Sequence, residues 1–144
     1  MKMKKKKSSP MITADKKLKK IVEFYFMTPA KTDAKALSQC IHSVSEEQVE
    51  VWRELNLMEV VLDRDSLIFQ DARECFIDPL DLEFIDGHGI QTMYQISYEI
   101  GDSAMVKKIM CEIIDAVGGF VCSDTDSFEP IYTKENMKQL GEEE

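Results

Sequence analysis

The clearest pattern along the chain is at Ile90, Thr92, Tyr94, Ile96, Tyr98 and Ile100, which share one parity while Gln91, Gln95, Ser97 and Glu99 take the other. Alternation of that length predicts a long strand with one buried face. Ile21 to Met27 is instead a nearly continuous run of aromatic and β-branched residues that ends before Thr28-Pro29, which predicts a buried strand. Between them, Met58, Val60 and Leu62 alternate, Asp63-Arg64-Asp65 makes a polar turn, and Leu67 to Gln70 resumes. That pattern predicts a hairpin.

Helical spacing shows in two places. Ala34, Leu37, Ile41 and Val44 follow Thr32 and Asp33, either of which can cap a helix, and His42 would fall in its last turn. Met105, Ile109, Ile113 and Ala116, reinforced by Val106, Met110 and Val117, follow the candidate cap Asp102 and stop at Gly118-Gly119. Ser45 to Leu62 reads as a long, irregular strand, because Val49, Val51 and Trp52 outweigh the capping-box pair Ser45 and Gln48. Ala72 to Asp81, with Pro79 and several charges, reads as a loop. Leu82 to Ile85 then enters a hairpin turn at Asp86-Gly87-His88-Gly89. Phe120 to Cys122 and Ile131-Tyr132 read as strand, and Thr133 to Leu140 as a short terminal helix.

The order of these elements predicts an α+β fold, a mostly antiparallel sheet with two main helices on one face. It resembles a ferredoxin-like split β-α-β arrangement with an extra strand or hairpin around residues 72–90. That resemblance is architectural and implies no particular function.

Composition adds that the 144-residue chain, 44% hydrophobic and 31% charged, has enough apolar residues for one packed core. No run of apolar residues approaches the ~18 that a membrane-spanning helix needs. Ile21 to Met27 contains Glu23 and lacks a small-residue cleavage site, so it does not read as a signal peptide. Cys40, Cys75, Cys111 and Cys122 are widely spaced with no C-x-x-C pair, which predicts free, mainly buried thiols and a cytoplasmic protein.

Charge is divided sharply. Residues 1–20 hold nine lysines against Asp15, while the remaining chain holds nine basic and 26 acidic residues, a net of −17. The expected organisation is therefore a disordered basic tail over 1–20, one α+β domain over 21–140, and a frayed acidic end over 141–144. A body this acidic repels phosphates, so nucleic acid is not its expected ligand.

Phosphate-binding loops, nucleophile elbows and zinc-helix motifs are absent from the sequence. Two polar clusters remain. Asp124, Asp126 and Glu129, with Ser123, Thr125 and Ser127, sit at a strand end where carboxylates suit a hard cation or a basic partner. Asp78, Asp81, Asp86 and His88 form the second, where an imidazole near carboxylates has the chemistry of a base or a ligand. Neither has the spacing of a known metal loop, so no metal, cofactor or catalytic residue is assigned.

The expected function is a non-enzymatic, acidic protein-binding domain whose contact residues are Asp78, Asp81, Asp86, His88, Asp124, Asp126 and Glu129, and whose partner is a basic protein. In size, charge and architecture the chain resembles small bacterial immunity proteins, a likeness that implies neutralisation of a basic toxin. The alternatives are a metal-dependent enzyme using the acidic loop, and a ligand-sensing ferredoxin-like regulatory domain.

Overall fold

A computed structural model describes residues 20–140. Of the tails expected over 1–20 and 141–144, residues 1–19 and 141–144 lie outside the described residues, while Lys20 is tied to the fold, its N–H donating to Glu99 at 3.0 Å.

Seven strands form one fully antiparallel sheet in the order β2-β3-β4-β5-β1-β6-β7. In chain order the elements are β1 (Ile21–Thr28), α1 (Ala34–Ser38), β2 (Val49–Trp52), β3 (Leu57–Val61), β4 (Ser66–Asp71), α2 (Pro79–Gly87), β5 (Thr92–Glu99), α3 (Ser103–Val117), β6 (Phe120–Cys122) and β7 (Ile131–Tyr132). Short 3-10 turns connect several of them, the last spanning Lys134–Gln139. The two strands with the strongest sequence patterns lie at the centre, paired along their whole length from Ile21 opposite Glu99 to Thr28 opposite Thr92.

Strand alternation sorts the side chains into two cores. On one face Val22, Phe24 and Phe26 meet Tyr94, Ile96 and Tyr98, with Val106, Ile109, Met110 and Ile113 of α3 and Ala34 and Leu37 of α1 packed over them. Both helices thus cover one face, as the sequence predicts. The buried line of α3 is displaced from the expected one, since Ala116 is exposed and Met105 only half-buried. On the opposite face a smaller core joins Tyr25, Met27 and Met93 to Phe76, Ile85 and Phe128. This second layer explains why β1 carries apolar residues at both parities.

The ferredoxin-like arrangement is not confirmed. The sheet has more strands than that fold, and a third helix occupies the second face. That helix, α2, replaces the hairpin expected at Leu82–Gly89. Asp78 caps it by accepting from the Leu80 N–H at 2.8 Å, and Pro79 sits at its first position, where its missing N–H costs nothing. Gly87 is its last residue and His88 its cap, so Asp86-Gly87-His88-Gly89 ends a helix.

Three further expectations change for local reasons. The first helix stops at Ser38, so His42 lies beyond it, and the His42 N–H donates to Glu112 of α3 at 3.0 Å. Ser45–Leu62 is broken at Asn56, which adopts a left-handed conformation (φ 50°) between β2 and β3. Asn56 is a structural node: its Oδ1 accepts from the Ala34 N–H at 2.8 Å and the Tyr94 hydroxyl at 2.7 Å, and its Nδ2 donates to Asp71 at 2.9 Å. Asp102 precedes α3 but makes no side-chain cap. Its buried carboxylate instead accepts from the Arg64 and Asp65 N–H groups at 3.1–3.2 Å, tying the β3–β4 turn to the start of the helix.

Candidate functional site

The second core opens at one side into a cavity of about 440 Å³ lined by Tyr25, Cys75, Phe76, Asp78, Leu80, Asp81, Asp124, Thr125, Asp126 and Phe128. Three segments distant in sequence build it: the face of β1, the start of α2, and the loop between β6 and β7. They meet because β6 pairs with β1, Cys122 standing opposite Tyr25. The Asp124–Asp126 loop therefore leaves the sheet beside Tyr25.

The floor is aromatic. Tyr25 contacts Phe76 edge-on with ring centroids 5.0 Å apart and Phe128 at 6.5 Å, while Phe84 lies 4.5 Å from Phe128. Phe128 is buried although its φ is 63°. A non-glycine residue there is held against its backbone preference, and burial of the ring against three other aromatics offsets that strain. Hydrogen bonds close the same loop: the Phe128 N–H donates to the Thr125 carbonyl at 3.1 Å, and the Thr125 hydroxyl to the Glu129 carbonyl at 2.8 Å. The loop is thus anchored at Phe128 and presents Asp124 and Asp126 outward, both exposed.

The walls are acidic. Asp81, half-buried in the first turn of α2, has its carboxyl pushed above the usual range by burial and then by the charges of Asp78, Asp126 and Asp124. Asp81 thus feels the charge of the other three aspartates. Beneath them the Tyr25 phenol is pushed up to about 12, by burial first and then by the negative charge of Asp124. Tyr25 is 9% exposed as a whole residue, but its hydroxyl is not among the buried side-chain atoms that lack a partner, so it opens to the cavity and its solvent. The Cys122 thiol below is also raised to about 12 by burial, then by Asp124.

Leu80, which lines the cavity, and Ile77, three residues before it, are exposed among the described residues. Leu80 is 73% exposed, and neighbouring Ile77 is 82% exposed. The site thus combines four aspartates, an aromatic floor and exposed apolar side chains.

Of the residues expected from sequence, Asp78, Asp81, Asp124 and Asp126 are brought together. Asp86, His88 and Glu129 do not line the cavity. His88 caps the far end of α2, its ring 4.2 Å from that of Phe84 and its Nδ1 2.9 Å from the Phe84 carbonyl oxygen. Glu129 is exposed on the outer limb of the loop, where its carbonyl serves Thr125. Tyr25, Phe76, Leu80 and Phe128 were missed. The one available signal was β1 itself, since a strand apolar on both faces requires a second layer, and Tyr25 is the polar-tipped residue within it.

Among the described residues no group of three or more His, Cys, Asp or Glu side chains is arranged to hold a metal ion. No helix among them is long and apolar enough to cross a membrane. All four cysteines are free, but only Cys122 is fully buried; Cys40 and Cys111 are half-buried and Cys75 is exposed at the cavity. No family model, curated protein or solved structure matches the chain.

Proposed function

We propose that the acidic cavity is a protein-binding site that receives a lysine side chain from a basic segment of a partner. The observation that carries this reading is the cavity itself, which gathers Asp78, Asp81, Asp124 and Asp126 over an aromatic floor that includes Tyr25, Phe76 and Phe128. An ammonium group has three donors, strong hydration to replace and a long apolar stem. The carboxylates supply acceptors, the phenolic oxygen supplies one more, and Phe76 and Phe128 suit the stem. The exposed Leu80 and Ile77 favour a protein partner over a free cation, because apolar area is the usual anchor of a protein interface.

Neutralisation of a basic toxin, as in immunity proteins, is one biological setting for this chemistry and rests on charge and size alone. Electrostatic attraction between such partners acts mainly on the association rate and weakens as salt shortens the screening length, about 8 Å at physiological ionic strength.

The test is calorimetric titration of the full chain with a synthetic lysine-leucine peptide. Paired substitution of Asp124→Asn with Asp126→Asn is expected to weaken binding at least about tenfold, whereas Asp86→Asn with Glu129→Gln, outside the cavity, changes it by less than about twofold. Equal losses from the two pairs would show diffuse attraction by an acidic surface and overturn the site.

A further inference from the structure

Cations are scarce along positions 21–144, which hold nine basic residues against 26 acidic ones. Four of the nine, Lys107, Lys108, Lys134 and Lys138, nevertheless line one open groove of about 550 Å³ between α3, the last 3-10 turn and the segment at Ser43. We infer that this groove docks a short acidic segment of a protein partner. The inference is independent of the reading of the acidic cavity.

Helical spacing builds the groove. Lys107 and Cys111 stand one turn apart on α3, with Lys108 and Glu112 beside them, so the four share one face. That face is left over from packing, because the buried stripe of α3 runs through Val106, Ile109, Met110 and Ile113. The last 3-10 turn is held against the helix at two points: the Lys107 ammonium donates to the Lys138 carbonyl, and Lys134 pairs with Asp115. On the other side Glu112 accepts from the His42 N–H at 3.0 Å and from the Ser43 hydroxyl at 2.7 Å. These contacts fix the walls. Lys108 and Lys138 are exposed on them, and their ammonium groups meet no carboxylate within ion-pair distance among the described residues.

The lining therefore carries four lysines against two acids, and both acids are turned to donors within the fold, Glu112 as above and Glu135 to the Thr133 hydroxyl at 2.9 Å. A cleft dominated by one sign of charge focuses its field on a ligand of the other sign. Its floor is less polar, with Met137 buried and Cys111 half-buried, and lysine stems add apolar surface beneath their charged heads. A segment in which acids alternate with apolar residues matches both parts. A long polyanion does not, since nucleic acid or an anionic membrane would run from the groove onto a body that repels it. With a screening length of about 8 Å at physiological salt, a short segment confined to the groove escapes most of that repulsion. The acidic cavity lies on the opposite face of the sheet, away from α3, so the two sites do not neutralise each other.

The test is fluorescence-anisotropy titration of a labelled glutamate-leucine peptide with the full chain, carrying Lys→Gln at positions 4–7 throughout so that the N-terminal lysines do not dominate the attraction. Lys108→Gln with Lys138→Gln is expected to weaken binding at least about fivefold, whereas Lys31→Gln with Lys35→Gln, an exposed pair outside the groove, changes it by less than about twofold. Equal losses from the two pairs, or no saturable binding, would overturn the site. A single-stranded oligonucleotide of equal charge that binds more tightly than the peptide, and loses as much to the Lys108 and Lys138 substitutions, would overturn the assignment of the groove to a protein segment.

Discussion

Two buried tyrosines on opposite faces of the sheet allow the special status of Tyr25 to be weighed quantitatively. Tyr94 is fully buried and donates to Asn56 Oδ1 at 2.7 Å. Tyr94→Phe leaves the ring packed but strips that oxygen of one of two donors, the other being the Ala34 N–H. The expected cost is about 1 kcal/mol, the usual net value of an intramolecular hydrogen bond. Tyr25→Phe also preserves its contacts with Phe76 and Phe128, and removes a hydroxyl that opens to the cavity rather than one bonded within the fold. The variant gives up no intramolecular hydrogen bond and is therefore expected to stay within about 0.5 kcal/mol of the parent. Urea denaturation with a common slope measures both, and melting temperatures should separate the two variants by roughly 3–6 °C. If Tyr25→Phe loses as much stability as Tyr94→Phe, the Tyr25 hydroxyl is bonded within the fold and is not free to meet a ligand in the cavity.

Gly119 has φ 107°, and a Cβ there would collide with the Met27 carbonyl oxygen and lie 2.9 Å from the Thr28 Cα; Gly119→Ala is expected to cost more than about 3 kcal/mol or abolish folding, read by chemical denaturation. Thiol labelling of the native protein should modify Cys75 first, Cys40 and Cys111 more slowly, and Cys122 only on unfolding, as resolved by mass spectrometry of timed samples. Glu99, 1% exposed, is held below the usual carboxylate range by the Lys20 N–H foremost, against burial and with help from Gly101 and Arg64. The folded state therefore binds fewer protons than the unfolded one, so its contribution is present above the unfolded value near 4.3 and is lost as pH falls through the folded value. Glu99→Gln should lower neutral-pH stability and flatten the acid limb of a stability–pH profile.

The sequence was legible wherever one element satisfied its own pattern. The β3–β4 hairpin and α3 each bury a regular stripe against a single layer, and β5 keeps its alternation although Met93 reaches the second core, so alternation or helical spacing reports them directly. α2 was illegible because it buries little more than Phe84 and Ile85 and leaves Leu80 and Leu82 exposed, which erases helical spacing. The acids at positions 78, 81, 124 and 126 were legible as candidates. Their separation from Asp86, His88 and Glu129 was not, because it depends on a pairing between β1 and β6 that joins residues about a hundred positions apart. Tyr25 was hidden for the opposite reason: within an apolar strand its hydroxyl reads as incidental, and only the surrounding layer shows that it faces a cavity.

The central claim, that a lysine ammonium sits among these carboxylates, is tested most directly by Asp81. Its carboxyl is raised by burial and by Asp78, Asp126 and Asp124, so a bound cation must lower it, and by linkage the same cation must bind less tightly as pH falls through the carboxylate range. The measurement is the NMR titration of the Asp81 side chain in the full chain carrying Lys→Gln at positions 4–7, without and with saturating lysine-leucine peptide. The account predicts that the peptide moves the Asp81 titration to lower pH while leaving that of Asp86 in place. An Asp81 titration unmoved by bound peptide would contradict it.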